Sequence, residues 1–224
     1  MSVSDDILSL TLACPLCNSQ ASFFTKSKHK QIYFRCEHCA SVFMRPDDYV
    51  NSNDEQKRYE THNNDVTDLR YQRFVSPITK AIENEFSEHH QGLDYGCGTG
   101  PVATYVLKQK GYKHIKLYDP FFHDKPEVLE NQYDFIICCE VMEHFYNPKA
   151  EFKKLRQMLK PKGQLLCKTS LFLEKNNQKD FENWHYKDDE THVFFYSEKS
   201  LEYIKNEMNF KSVEFDQKLI RFIL

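Results

Sequence analysis

Leu93-Asp94-Tyr95-Gly96-Cys97-Gly98-Thr99-Gly100 reads as the end of a buried strand, a glycine turn and the start of a helix. Three glycines alternating over five positions let the chain turn sharply and let a ligand lie against bare backbone. Pro101 suits a first helical position, where its missing N–H would have no partner anyway, and Val102 to Lys108 follows as a helix with an apolar face. Two other glycine loops fit less well. A P-loop requires a Lys-Ser/Thr pair after its last glycine, whereas Pro101-Val102 stands here. The dinucleotide fingerprint spaces its last two glycines one residue further apart, so that a pyrophosphate meets the helix N-terminus. The plain alternative for these eight residues on their own is an ordinary strand–helix turn of an α/β protein.

At 224 residues the chain has room for one good-sized domain plus something small, or two modest ones. With 40% hydrophobic residues, 18 Phe and 13 Tyr among them, it can fill a core of that size. A net charge of −3 with acids and bases well mixed gives no electrostatic case for indiscriminate binding to nucleic acid or to a membrane surface. No run approaches the roughly 18 apolar residues of a membrane-spanning helix. Met1-Ser2-Val3-Ser4-Asp5-Asp6 is acidic and lacks the basic segment of a secretory signal, so the expected location is the cytoplasm.

The eight cysteines fall into two groups. Cys97, Cys138, Cys139 and Cys167 lie in predicted strands or in the glycine turn and read as small buried hydrophobes of a reducing compartment. Cys14-Pro15-Leu16-Cys17 and Cys36-Glu37-His38-Cys39 are two Cys-x-x-Cys turns with 18 residues between them. Each turn offers two thiolates, and two facing turns complete a tetrahedral Zn²⁺ site. With strand-like Phe23-Phe24 and Ile32 to Arg35 between, this stretch resembles a zinc ribbon. Cys14, Cys17, Cys36 and Cys39 leave no open position on the metal, so a structural role is expected, and His29 and His38 are expected at the surface. Such a ribbon either props up the neighbouring domain or grips a macromolecule.

Residues 47 to 88 are polar and helix-like, with Tyr59, Val66, Leu69, Phe74, Ile78, Ile82 and Phe86 at roughly helical spacing. Pro77 is expected to break or kink this helix. The segment should lead into the first strand and form one wall of the ligand pocket, with His62-Asn63-Asn64 and Arg70-Tyr71 as polar groups able to reach it. Beyond the glycine turn, Ile115 to Tyr118 is a strand ending in Asp119. Only 13 residues, 120 to 132, precede Tyr133, so a third strand is expected to be shortened. Tyr133 to Cys139 is a near-continuous apolar run suited to a buried parallel strand. It leads into Glu140-Val141-Met142-Glu143-His144-Phe145, then a helix from about Pro148 to Lys160, a turn at Pro161-Lys162-Gly163 and a strand from Gln164 to Thr169. Ser197 reads as the N-cap of a helix reaching about Met208. Two segments, 209–215 and 218–224, read as a closing antiparallel pair.

Taken together and in order, Leu-Asp-x-Gly-Cys-Gly-x-Gly, a strand ending in Asp, Glu-x-x-Glu-His-Phe, Leu-Lys-Pro-x-Gly and Thr-His-Val-x-Phe-Phe/Tyr-Ser resemble the class I S-adenosylmethionine (SAM) methyltransferases over residues 90 to 210. The resemblance implies a doubly wound, mostly parallel α/β sheet of Rossmann-like type, preceded by the small zinc ribbon. The implied division is 1–46 ribbon, 47–90 helical lead-in and 91–224 SAM-binding domain. Cofactor contacts are expected from Asp94, Tyr95, Gly96, Cys97, Gly98, Gly100, Asp119, Pro120 and Glu140, with Asp119 accepting the ribose hydroxyls. In related O-methyltransferases and small-RNA methyltransferases the Glu-x-x-Glu-His pattern binds a divalent ion. That makes Glu140, Glu143, His144 and His192 candidates for a second metal site. Without a metal, His144 and His192 are the candidate bases, with Glu143 beside them, since neutral imidazole is available at pH 7. Trp184, His185 and Tyr186 are expected to help form the acceptor pocket. The function implied is methyl transfer from SAM to a small metabolite, with oxygen as a candidate acceptor atom. The alternatives are methylation of RNA, or a SAM-binding domain without activity whose ribbon serves as an interaction module.

Overall fold

The computed structural model describes residues 9–61 and 65–224; the leader at residues 1–6 and His62-Asn63-Asn64 lie outside the described residues. The central sheet has six strands: β5 (Gly92–Tyr95), β6 (Ile115–Tyr118), β7 (Tyr133–Cys139), β8 (Leu159–Lys168), β10 (Ser212–Phe215) and β11 (Ile220–Ile223). Their order is β10-β11-β8-β7-β5-β6. The four strands from β6 to β8 run parallel, and the closing pair is antiparallel, as its sequence suggests.

The apolar run of β7 explains the layering. Alternate side chains leave opposite faces of a strand. Phe135 and Ile137 pack with Val75, Ile78, Ile82 and Leu107 of two helices, α2 (Leu69–Glu85) and α3 (Val102–Gln109). Ile136 and Cys138 pack on the other side with Phe152 and Leu155 of α4 (Pro148–Gln157) and Leu201 and Ile204 of α6 (Glu198–Glu207). Both faces are covered, so neither register of the alternation shows a polar stripe.

Three local expectations change. Pro77 does not break α2. The carbonyl of Arg73, which a residue with an N–H would have bonded, instead accepts from the Ser76 hydroxyl at 2.8 Å. The shortened third strand is no strand at all. After β6 the chain makes one bridge, Asp119 with His123, and a 3-10 turn at Pro126–Glu130, and β6 is the border of the sheet. The turn at Pro161-Lys162-Gly163 lies inside β8. The ladder passes from Tyr133–Leu159 to Phe135–Gln164, and Lys162 takes φ of 66° in the bulge between.

The ribbon comprises β1 (Thr11–Ala13), β2 (Gln20–Lys26), β3 (Ile32–Cys36) and β4 (Val42–Met44). Its sheet takes a fifth strand from far along the chain. β9 (Phe194–Phe195) pairs with β4 through Val42–Phe195 and Phe43–Phe194. Tyr33, Phe34, Phe43, Phe194 and Phe195 share one core with β7 and β8. Just beyond β9, the Ser197 hydroxyl donates to the carbonyl of Cys39 at 2.8 Å and accepts from Ser200 N at 3.1 Å. One side chain thus caps α6 and ties it to the second cysteine turn.

Ser197→Ala should lower stability by about 2 kcal/mol, since it removes the cap and leaves a buried carbonyl unpaired. Urea unfolding with an unchanged m-value checks this. A loss under about 0.5 kcal/mol would show that the helix end is held by packing alone.

Candidate active site

The glycine turn sits at the C-terminal ends of β5 and β6, where open α/β sheets take ligands. Gly96 and Gly98 have φ of 72° and 61°, conformations that side chains with a Cβ rarely adopt. A Cβ on Gly96 would also stand 2.5 Å from Val141. The carboxylate of Asp119 fastens the turn: one oxygen accepts from Gly98 N at 2.9 Å, the other from Phe121 N at 2.9 Å and Phe122 N at 3.1 Å. Asp94 is buried beneath the turn and accepts from the Thr104 hydroxyl at 2.6 Å. Burial raises its pKa to about 6, against the pull of that hydrogen bond.

The turn forms one end of a cavity of about 1130 Å³. Asp94, Tyr95, Gly96, Cys97, Gly98, Gly100, Asp119, Pro120 and Glu140 all line it, as do His144 and His192. Tyr95 turns its hydroxyl away to Glu151 and Lys154. Glu143 lies behind the wall, fully buried, and one of its carboxylate oxygens, Oε2, has no hydrogen-bond partner.

Both imidazoles are oriented by backbone carbonyls. His144 Nδ1 meets Thr191 O at 2.9 Å, and His192 Nδ1 meets Tyr186 O at 2.6 Å. A carbonyl only accepts, so each Nδ1 carries the hydrogen, and in the neutral ring Nε2 carries the lone pair. The rings are 4.8 Å apart, and His192 Nε2 is 4.0 Å from Glu143 Oε1. Ligand-type atoms of Glu143, His144 and His192 lie within 4.8 Å of one another. Glu140 stays outside this group. It takes φ of 54°, strained for a residue with a Cβ, and its carboxylate faces the Tyr186 hydroxyl at 3.0 Å. The same hydroxyl contacts Glu143 and, at 3.0 Å, Thr169. Burial pushes both glutamates above the usual carboxylate range, Glu143 well above it with help from the Glu140 charge.

Of the three residues expected around the acceptor, only Tyr186 meets the carboxylates. Trp184 packs with Phe172, Phe181 and Phe195 against the ribbon, and His185 is exposed. The lead-in forms a wall of the cavity, with Arg70 and Tyr71 on it. The sequence reading missed Glu55 in α1 (Ser52–Glu60), which lines the cavity and accepts from the hydroxyls of Tyr59 at 2.7 Å and Tyr146 at 2.9 Å. The available signal was the i, i+4 spacing of Glu55 and Tyr59 on one helix face.

At the other end of the molecule, Cys14 Sγ and Cys39 Sγ are 3.7 Å apart, Cys17 Sγ and Cys36 Sγ 3.4 Å, and all four sulfurs lie within 4.8 Å of one another. Zn–S bonds of about 2.3 Å in a tetrahedron put sulfurs ~3.8 Å apart, so the four fit one zinc ion. His29 and His38 are exposed, as expected.

Residues 67–214 match the family model described as a methyltransferase domain. That is 148 of 224 residues (67 to 214 inclusive), and the chain belongs to this family, the SAM-dependent methyltransferases. No curated protein is similar enough in sequence to count as a relative. Among solved structures, the YcgJ protein of Bacillus subtilis is 16% identical, with 63% of this chain and 69% of that one covered and a TM-score of 0.48. A SAM-dependent methyltransferase of Thermotoga maritima, described as a possible histamine N-methyltransferase, is 13% identical over 77% and 95%, at 0.46. An O-methyltransferase family protein of Burkholderia thailandensis is 11% identical over 75% and 61%, at 0.46. These likenesses are distant.

The raised pKa of Asp94 has a stability consequence. The folded chain holds its proton more tightly than the unfolded one, so this group's contribution is complete below about pH 3.8 and is lost as pH rises through about 6. The loss is about 3 kcal/mol. Asp94→Asn keeps an acceptor for Thr104 and should lack this decline. Denaturant unfolding of both proteins from pH 4 to 7 tests it, and parallel curves would refute it.

Proposed function

We propose that the chain transfers the methyl group of SAM to a small-molecule acceptor. The observation that carries this reading is one cavity with the glycine turn and Asp119 at one end and two imidazoles, each with Nε2 as its lone-pair nitrogen, at the other. When bound, SAM supplies a methyl group on a positively charged sulfur. Gly96, Gly98 and Gly100 bring backbone close to it, Asp119 accepts the ribose hydroxyls, and Asp94, Tyr95, Cys97, Pro120 and Glu140 shape the surrounding wall. Alignment is most of the work in such a displacement. The remaining work is a proton, taken by His192 or His144, with Glu143 beside His192 at 4.0 Å. A second reading is favoured by the proximity of Glu143, His144 and His192. A divalent ion held there would suit an acceptor with adjacent hydroxyls, and oxygen would be the methylated atom. The ribbon zinc, closed by four thiolates, is structural in this reading, and eight free cysteines fit a reducing compartment such as the cytoplasm.

Asp119→Asn removes a charge-assisted contact to the ribose together with one of the two acceptor oxygens that fasten the turn. SAM affinity by calorimetry should fall by about 10- to 100-fold, the equivalent of roughly 1.5–3 kcal/mol. Unchanged affinity would remove Asp119 from the cofactor site.

Elemental analysis should find about one zinc per chain, lost in Cys36→Ser. A well-ordered ribbon in metal-free protein would refute the zinc site. A second metal equivalent that disappears in His192→Ala would decide for the ion at the imidazole pair.

A further inference from the structure

We infer that the acceptor is an organic cation, an amine carrying an apolar or aromatic group, which enters the cavity with its ammonium end between Glu55 and Glu140. This rests on the methyl-transfer reading above and names the substrate class of that site.

The argument begins with charge. The lining contains two fixed cations, Arg70 and Lys154. Each is already engaged: Arg70 with Asp68 at 3.0 Å, Lys154 with Glu151 at 2.8 Å. Asp189 is paired with Arg58 at 2.7 Å. Glu55 is not so matched, and Glu140 has only the charge of Lys168, outside ion-pair contact. Glu55, only 7% exposed, has the hydroxyls of Tyr59 and Tyr146, and Glu140 has that of Tyr186. Among the described residues neither forms an ion pair with lysine or arginine. A desolvated carboxylate held by phenols alone is costly, and a cation arriving from outside removes the cost.

The rings agree with the charges. Tyr59 packs 5.7 Å from Phe121 and 5.2 Å from His144, which places an aromatic wall beside the imidazole pair. Aromatic faces attract cations. A cation of the chain itself already sits on another ring of the lining: Lys168 Nζ stands 4.3 Å over Phe74. The positive charge of SAM does not answer for both carboxylates. The glycine turn, Asp94 and Asp119 mark the donor end, Glu55 reaches the imidazole end through Tyr59, and Glu140 stands between the two, with Val141 against Gly96 and Tyr186 linking it to His192. Among the described residues, a phosphodiester chain would meet these acids with both lining cations, Arg70 and Lys154, already engaged, against the way such chains are bound.

Chemistry points the same way. An alkylammonium sheds its proton near pH 10.4, and a hydroxyl, by comparison with water, near 15.7. The amine therefore needs about five powers of ten less help from a base. One ammonium proton leaves to His192 Nε2 and on to water. The nitrogen lone pair forms the new N–C bond, the C–S bond breaks with its electron pair going to sulfur, and the positive charge ends on the methylated nitrogen.

The test compares binding of three probes of similar shape to the full chain saturated with S-adenosylhomocysteine: phenethylamine, phenethyl alcohol and phenyl phosphate, by ligand-observed NMR. The amine should bind at least ten-fold more tightly than the alcohol, and the phosphate should bind least. Glu55→Gln should reduce that preference by at least ten-fold while S-adenosylhomocysteine affinity by calorimetry stays within two-fold. Glu140→Gln, read by the amine preference alone, covers the case of a Glu55 variant that does not fold. An amine bound no better than the alcohol, including no binding of either, overturns the inference, as does preference for the phosphate or for a single-stranded RNA 20-mer. Failure of S-adenosylhomocysteine itself to bind would instead overturn the methyl-transfer reading, so the two failures are distinguishable.

Discussion

The backbone of Val193 holds the molecule together. Its carbonyl accepts from Met44 N at 2.8 Å, and its N–H donates to the carbonyl of Glu143 at 3.0 Å. One peptide therefore links the last strand of the cysteine-rich sheet to the turn that carries Glu143 and His144. His192 precedes it and the two phenylalanines of β9 follow it. The orientation of His192 is thus set from both sides, by the ribbon sheet through β4 and by the catalytic turn. The four-cysteine cluster is far from the cavity in sequence, yet its sheet pairs with the strand next to this imidazole. A ribbon of this kind acts as a scaffold for the site, whatever else it touches.

The second organising constraint is the scarcity of protons around Tyr186. A phenol carries one hydrogen, and Glu140, Glu143 and Thr169 all stand within its reach. Thr169 can donate to the phenol, but the phenol can donate to only one carboxylate. Two glutamates held this close, with one donor between them, share a proton most economically. That agrees with the upward push that burial gives both. The left-handed backbone at Glu140 is a further cost that only the surrounding structure sustains. Strain, burial and missing partners thus coincide just beyond the end of β7.

Much of this was legible because it is local. The glycine spacing, the continuous apolar run of β7, the cap at Ser197 and the paired cysteines each encode their structure within a few residues. What the sequence could not show depends on partners distant in the chain. Phe194-Phe195 has no pattern that names β4 as its neighbour. Trp184 looked like a pocket residue because it sits in a polar stretch, and its true environment is supplied by Phe181 and the ribbon. Glu55 looked like any exposed acid on a polar helix, and only tertiary packing brings Tyr146, ninety-one positions later, onto its carboxylate. Pro77 misled for a smaller reason: its effect is cancelled by the hydroxyl of the residue just before it.

The missing third strand leaves β6 as a border whose outer N–H and C=O groups face no neighbour within the sheet. Such borders invite strands from other molecules. This one is four residues long, carries exposed Lys116 at its centre, and is closed at its end by the hook from Asp119 to His123. The residue that fastens the cofactor turn therefore also ends the border. Damage at Asp119 would have two separable faces: a loosened glycine turn, and a longer unguarded edge through which copies of the protein could stick to one another.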